Sequence, residues 1–138
     1  MAHTKFRVEV LTPEGEVFND EVEMLSTFTA DGSIGILANY APLLAMLDPT
    51  ELRLYRTESE IVRFAQAEGY MQVGHNHALL LVEEAYDPSA LDLGDLRERL
   101  SLAEHEFEAA EEGSEKRRVA QRARRRLEAF LRIATADG

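Results

Sequence analysis

The spacing of apolar residues changes near residue 90. Before this point, apolar and polar residues alternate in short segments such as FRVEV at residues 6–10, the period-two pattern of a half-buried strand. After it, apolar residues recur every three or four positions, the spacing that forms one stripe along an α-helix. The sequence therefore predicts a sheet followed by helices.

The first part of the chain is divided by turn sequences into short segments. These sequences combine Gly, Pro, Asp and Asn and recur about every eight to twelve residues, as all-β domains require. We therefore predict an antiparallel β-sandwich of about eight to ten strands over residues 1–88. The turn sequences are PEGE, DGS, DPT, TESE, EG and GHNH.

Two apolar stripes follow, and between them Gly113 and Ser114 are suited to end one helix in a left-handed residue and to cap the next. We predict an antiparallel two-helix hairpin over residues 89–138, which makes the fold class α+β, mainly β. Many stripe residues are alanine and bury little area, so we expect modest hairpin stability. The stripes are Leu93, Leu96, Leu100, Ala103, Phe107 and Ala110, then Ala120, Ala123, Leu127, Phe130 and Ala134.

Charge and composition exclude several classes of function. The net charge of -11 opposes general nucleic-acid binding, which needs a basic surface. The chain has no cysteine, so thiolate metal sites and disulfides are excluded. It shows no phosphate-binding loop, nucleophile motif, signal segment or membrane-spanning run. We expect a soluble, non-catalytic protein without a metal; His75 and His77 lack further ligands, and His105 lies among glutamates.

Two longer segments resemble the epsilon subunit family of the rotary F-type ATP synthase. They are DGSIGILANYAPLL at residues 31–44 and AEGYMQVGHNHALLLVEEA at residues 67–85, and the chain length and domain order agree with that family. The resemblance implies a non-catalytic rotor subunit of the central stalk that couples proton flow to ATP synthesis. It implies as partners the gamma subunit, the c-subunit ring and the alpha/beta hexamer, one copy per complex, and a peripheral position at the cytoplasmic face of the cell membrane.

The resemblance also implies a contact loop in the first of these segments. Ser33, Asn39, Tyr40 and Pro42 are the expected contacts with gamma and the c-ring, although Ala38, Asn39 and Tyr40 replace the family's usual Pro-Gly-His. Asn adopts positive φ more readily than most residues, so we expect the turn to be kept. The apolar residues Ile34, Ile36, Leu43 and Leu44 are expected to fill the interior of the sandwich.

A regulatory role for the second helix is implied in the same way. Residues 113–138 hold eight Lys and Arg against three Asp and Glu. In the family an extended hairpin meets acidic loops of the catalytic subunits and blocks ATP hydrolysis. The expected contacts are Arg118, Arg122, Arg125 and Arg126. In the closed hairpin the same arginines are expected to pair with Glu104, Glu108 and Glu111.

Some family members bind ATP through a motif close to L-D-x-x-R-A. Here Leu91 and Asp92 match, but Asp95 replaces the arginine and would repel phosphate. We therefore expect no cofactor, with Asp92 as a weak nucleotide-binding candidate and a helix cap as its preferred role. Two alternatives to a rotor subunit are a free-standing module whose hairpin binds another acidic partner, and, with less support, an enzyme or nucleic-acid binder.

Overall fold

The computed structural model describes residues 3–137, and the chain forms two compact units, residues 1–87 and 88–138. The first unit contains ten strands. These are β1 Phe6–Thr12, β2 Gly15–Val22, β3 Met24–Thr29, β4 Gly32–Leu37, β5 Leu43–Leu47, β6 Thr50–Tyr55, β7 Ile61–Gln66, β8 Gly69–Gly74, β9 His77–Val82 and β10 Ala85–Tyr86.

All ten strands belong to one hydrogen-bonded sheet in the order β10-β7-β6-β3-β5-β8-β9-β1-β2, with β4 on β3. Along β3, Met24–Ser26 pairs with β6, whereas Thr29 pairs with Leu47 of β5, so the sheet changes partner within this strand. The prediction of an antiparallel β-sandwich of about eight to ten strands is confirmed in its strand number and in most of its strand pairs. One pair departs from it, because β1 and β9 are parallel.

The core of this unit is apolar, with one buried polar network. Alternate residues point inward, so that Val8 and Val10 of β1 are fully buried, as are Leu52 and Leu54 of β6. Gln66 is also fully buried: it accepts a hydrogen bond from Thr27 Oγ1 at 2.9 Å and donates one to the Asp48 carbonyl at 2.9 Å. A buried amide with both ends bonded avoids the cost of an unpaired polar group and links three parts of the sheet.

Gly69 at the start of β8 has no room for a side chain. A Cβ atom at this position would lie 2.0 Å from the Leu81 carbonyl oxygen and 2.7 Å from the Val82 Cα of β9. Both are backbone atoms, which cannot rotate away. This close approach explains why glycine stands at the start of the second resemblance segment.

The second unit contains a short 3₁₀ turn, Pro88–Ala90, and two helices, α1 Leu93–Ala109 and α2 Glu115–Asp137. Both predicted N-caps are confirmed, since Asp92 Oδ1 accepts from the Asp95 amide at 2.9 Å and Ser114 Oγ from the Arg117 amide at 3.2 Å. Gly113 has the expected left-handed φ of 78°, but α1 ends earlier, with Ala110 as its C-cap.

The predicted apolar stripes lie on the buried sides of both helices. Every stripe residue is buried or half-buried, and α2 additionally buries Ala129 and Ile133. Among residues 3–137, no helix is long and apolar enough to cross a membrane. The buried stripe residues are Leu96, Ala103, Ala120, Leu127, Phe130 and Ala134.

Candidate partner-binding surfaces

The predicted contact loop, residues 38–42, is fixed to the β8–β9 turn. Asn39 has the predicted positive φ, 65°, and its backbone N–H donates a hydrogen bond to Asn76 Oδ1 at 2.6 Å. Asn76 Nδ2 donates back to Asn39 Oδ1 at 3.2 Å. This reciprocal pair holds the loop, so that Tyr40 and Pro42 are presented at the surface by a defined backbone.

Ser33 is exposed but lies away from the other three predicted contacts. It is the second residue of β4, opposite Phe28 of β3, whereas the contact loop follows the other end of that strand. About 13 Å of extended chain separates Ser33 from Leu37. The structure therefore groups Asn39, Tyr40 and Pro42 at one end of β4 and leaves Ser33 at the other.

The interior prediction for this segment is correct for three residues and wrong for one. Ile36 is fully buried, and Ile34 and Leu43 pack against the core. Leu44, by contrast, is 73% exposed. The reason is the pleat of β5, because consecutive residues of a strand point to opposite faces and Leu43 already occupies the inner one.

Leu44 belongs to an exposed apolar strip that the sequence pattern did not reveal. The strip comprises Leu44, Met46, Tyr70 and Leu81, on three adjacent strands. Met46 lies directly opposite Tyr70, which lies directly opposite Leu81. Met46 is 61% and Tyr70 55% exposed. Exposed apolar side chains that lie together on one face are typical of an interaction surface.

The outer side of β6 and β7 is charged instead. Glu51 contacts Arg53 Nε at 2.5 Å and Arg63 Nη2 at 2.7 Å, while the two arginines lie opposite each other in the sheet. The hydrogen bond from Arg63 is the main cause that lowers the pKa of Glu51 below its ordinary value. Glu51 therefore offsets part of the repulsion between the two arginines.

The four predicted basic contacts of α2 differ in their surroundings. Arg118 and Arg122 are exposed and both pair with Glu115 of their own helix, at 3.1 and 3.7 Å. Arg125 is exposed and Arg126 half-buried. All four remain on one side of the helix, as their spacing predicts.

The expected pairing with the first helix is wrong for the arginines whose partners are defined. Arg118 and Arg122 instead pair with Glu115, which lies one turn and two turns away on the same helix. Within the described part of the chain, no ion pair joins Glu104, Glu108 or Glu111 to α2. The acidic and basic helices are therefore not joined by these charges.

A different contact joins the helices. Phe107 of α1 lies against two guanidinium groups of α2, with its ring centroid 4.1 Å from Arg117 Cζ and 4.9 Å from Arg124 Cζ. The sequence pattern indicates Phe107 only as a stripe residue and gives neither arginine a role. The spacing of Arg117 and Arg124, seven residues apart and so two turns along one face, was the only signal available.

The remaining candidates are explained by local contacts. Asp92 caps α1, which confirms its preferred role. His77 Nε2 lies 2.5 Å from the Glu9 carboxylate, and the His75 and Asn76 backbones form the tight β8–β9 turn with positive φ. Among the residues that the structure describes, no three His, Asp or Glu side chains are placed to share a metal ion.

Comparison with known proteins agrees with this architecture. Residues 5–88 match the family model described as ATP synthase, Delta/Epsilon chain, beta-sandwich domain. The ATP synthase epsilon chain of Persephonella marina is 37% identical, with 94% of this chain and 96% of the relative covered. The chloroplastic epsilon chain of Nicotiana tomentosiformis is 35% identical, with 92% and 97% covered.

Solved structures share the fold. A chain of the Euglena gracilis mitochondrial ATP synthase, in a structure of its OSCP, F1 and c-ring, superposes with a TM-score of 0.78 at 16% identity, covering 94% of this chain and 82% of that one. A chain of the Tetrahymena thermophila enzyme, from its central stalk and c-ring, gives 0.61 at 17% identity, covering 99% and 98%. The family match and the near-complete coverage of its relatives place this chain in the ATP synthase epsilon chain family.

Proposed function

We propose that this chain, a non-catalytic epsilon subunit of the central stalk, couples proton flow to ATP synthesis through its sandwich and restrains ATP hydrolysis through its hairpin. The observation that carries the second part is the basic side of α2, where Arg118 and Arg122 keep 69% and 58% of their side-chain surface exposed. Epsilon-chain relatives covered over nearly their whole length support the first part.

The sandwich is the anchor in this proposal. The exposed apolar strip offers Leu44, Met46 and Tyr70 to the gamma subunit. Covering an exposed apolar face of this kind removes it from water and so favours binding. The contact loop offers Asn39, Tyr40 and Pro42, and Ser33 provides a separate contact nearer the β3–β4 turn. The Asn39–Asn76 pair fixes the loop before binding, so that little conformational entropy of the loop is lost when gamma or the c-ring binds.

The hairpin is the brake in this proposal, that is, the element that inhibits ATP hydrolysis. Arg118, Arg122, Arg125 and Arg126 would meet acidic loops of the alpha/beta hexamer when α2 leaves α1. Glu115 screens two of these arginines in the closed hairpin, and exposed pairs of this kind are worth only about 0–1 kcal/mol, so an acidic partner can replace it. The proposal needs no bound nucleotide, because Asp95 stands at the position of the motif arginine.

In the proposed function, each complex contains one copy of the chain, bound peripherally at the cytoplasmic face of the membrane through its partner subunits. The similar Euglena chain comes from a structure of OSCP, F1 and the c-ring, and the similar Tetrahymena chain from one of the central stalk and c-ring, which supports these partners. The acidic net charge of -11 is compatible with protein partners and unfavourable for nucleic acid.

ATPase activity of a matching alpha-beta-gamma complex tests the brake. The full chain is added as wild type or with Arg118→Gln and Arg122→Gln, at low and high salt. We expect the double variant to inhibit about tenfold more weakly, since two charge contacts of somewhat under 1 kcal/mol each are lost. Raised salt should weaken wild-type inhibition in the same direction.

The matched control is Arg97→Gln with Arg99→Gln, which removes the same charge from α1. It should inhibit like the wild type, while both variants should bind gamma equally. Equal inhibition by all three proteins would contradict the braking role of α2. Failure of the wild type to bind gamma at all would instead favour a free-standing interaction module.

A further inference from the structure

Phe107 and the two arginines around it form a compact contact between the helices. Arg117 and Arg124 lie two turns apart on one face of α2, and their guanidinium carbons are 4.1 and 4.9 Å from the centroid of the Phe107 ring. Both distances are within the range in which a cation is attracted to the electron-rich face of an aromatic ring. One ring of α1 thus binds two cations of α2.

Each guanidinium is also held in place by a second contact. Arg117 Nη1 donates to the carbonyl of Ala110, the C-cap of α1, at 3.3 Å. Arg124 Nε lies 3.4 Å from the Glu128 carboxylate one turn further along α2. Arg117 therefore ties the end of α1 to the start of α2, and Glu128 offsets the repulsion that the two neighbouring cations exert on each other.

We propose that Phe107, Arg117 and Arg124 form a latch, here called the Phe107 latch, that keeps the hairpin closed and sets how often α2 separates from α1. Other ties between the helices are weak. The stripes are rich in alanine, and Glu104, Glu108 and Glu111 form no ion pair with α2 in the described part of the chain. The latch is a polar contact that joins α1 to α2 and makes closure specific.

The latch divides the arginines of α2 into two sets. Arg118 and Arg122 point outward and are accessible in the closed hairpin, whereas Arg117 and Arg124 are half-buried and occupied by Phe107. Opening frees the second set. The consequence for ATP hydrolysis rests on the proposed function, since opening is the step that brings α2 to an acidic partner; the latch itself does not depend on that role.

Thiol reactivity measures opening directly because the chain has no native cysteine. Ala103 is 5% exposed on the α1 stripe, so a single Ala103→Cys substitution places a thiol that is modified when the helices separate. When opening is rapid and rare, the modification rate is proportional to the open fraction. Ser101→Cys, on the exposed side of α1, gives the intrinsic rate.

The decisive comparison is between Phe107→Leu and Phe107→Tyr in the full chain carrying Ala103→Cys. Leucine keeps an apolar side chain but removes the ring face, whereas tyrosine keeps both. We expect Phe107→Leu to raise the modification rate about fivefold to tenfold and Phe107→Tyr to leave it near the starting value. Equal rates in the two variants would overturn the latch, because a purely apolar contact does not distinguish them in this way.

Substitution of the arginines completes the test. Arg117→Gln and Arg124→Gln should each speed modification but add little in the Phe107→Leu background, because the ring they bind is gone. Arg118→Gln, with the same charge change outside the latch, should have no effect. Fully additive rates would overturn the latch, and circular dichroism at 222 nm checks that each variant keeps its helices.

The latch and the brake can fail separately. If Phe107→Leu leaves the modification rate unchanged while Arg118→Gln with Arg122→Gln still relieves ATPase inhibition, the latch is wrong and the proposed function stands. If Phe107→Leu speeds modification and the outward arginines have no effect on ATPase activity, the latch stands and the braking role of α2 is wrong.

Discussion

The sandwich and the hairpin are stabilised in different ways. In the sandwich, large aliphatic residues such as Leu25, Leu52 and Leu80 have no exposed surface, and each such side chain contributes about 1.5–3 kcal/mol. In the hairpin, five of the eleven stripe residues are alanine, which removes far less apolar surface from water. We therefore expect the sandwich to be the more rigid unit and the hairpin to open at lower cost in free energy.

Polar groups show the same contrast. Gln66 in the sandwich is fully buried, and both its amide oxygen and its amide nitrogen are hydrogen-bonded. Removing either partner would leave a buried polar atom without a hydrogen bond. The contacts of Arg117 and Arg124 in the hairpin are half-buried and can be replaced by water. Small changes should therefore unlatch the hairpin, whereas the sandwich should respond strongly only where its backbone or core is disturbed.

Gly69→Ala should produce the largest effect on the sandwich. The new methyl group would meet the backbone of β9, so strands β8 and β9 must separate, and we expect a loss of about 3 kcal/mol or more in the free energy of unfolding. Chemical denaturation followed by tyrosine fluorescence measures it. All four tyrosines lie in residues 1–87 and the chain has no tryptophan, so the signal reports this unit.

Gly74→Ala is the matched control for that experiment. It lies at the other end of the same strand, and a Cβ atom there meets nothing within 4 Å. Its effect should stay within about 1 kcal/mol. Similar losses at both positions would show that the close approach of β8 to β9 at Gly69 does not govern the stability of this strand pair.

The parts of this structure that follow local rules could be predicted from the sequence. The period of the apolar residues indicated both units, and the stripe residues of α1 and α2 are buried or half-buried. The caps at Asp92 and Ser114 and the positive φ of Asn39 were predictable as well. Each depends on one residue and its immediate neighbours, and such preferences act regardless of the rest of the fold.

Features that depend on distant parts of the chain were not predictable in this way. The pair Leu43 and Leu44 has no internal signal for which residue points inward, and the register of β5 against β8 decides it. The parallel pairing of β1 with β9 joins segments far apart in sequence. Likewise, the Phe107 latch requires knowing which face of α2 meets α1, and charge patterning alone suggested ion pairs that the structure does not form.

Glu51→Gln should produce a smaller, pH-dependent loss in the sandwich. Hydrogen bonding to Arg63 lowers the pKa of Glu51 in the folded state, so the ionised form contributes stability above the unfolded value near 4.5, and this contribution is lost as the pH falls through the lowered folded pKa. We expect the variant to be less stable by about 1 kcal/mol at pH 7.

The difference between wild type and Glu51→Gln should therefore shrink as the pH is lowered below about 4.5, when denaturation is repeated across that range with tyrosine fluorescence. Glu58→Gln serves as the control, because Glu58 is exposed in the β6–β7 turn. Glu58→Gln should leave the free energy of unfolding unchanged both at pH 7 and below a pH of about 4.5. A constant difference for Glu51→Gln at all pH values would mean that its charge does not stabilise the sheet.

Asp92→Ala should produce a loss of similar size, about 1 kcal/mol, in the hairpin, because it removes the side chain that accepts a hydrogen bond from the Asp95 amide at the start of α1. Asp92→Asn keeps an acceptor and should retain most of the helix stability, as thermal unfolding at 222 nm would measure. The alanine variant should melt at a lower temperature than the asparagine variant. Since the hairpin has little apolar surface to offset the loss, this single cap should matter more to it than an equal loss would to the sandwich, and identical melting of the two variants would remove that argument.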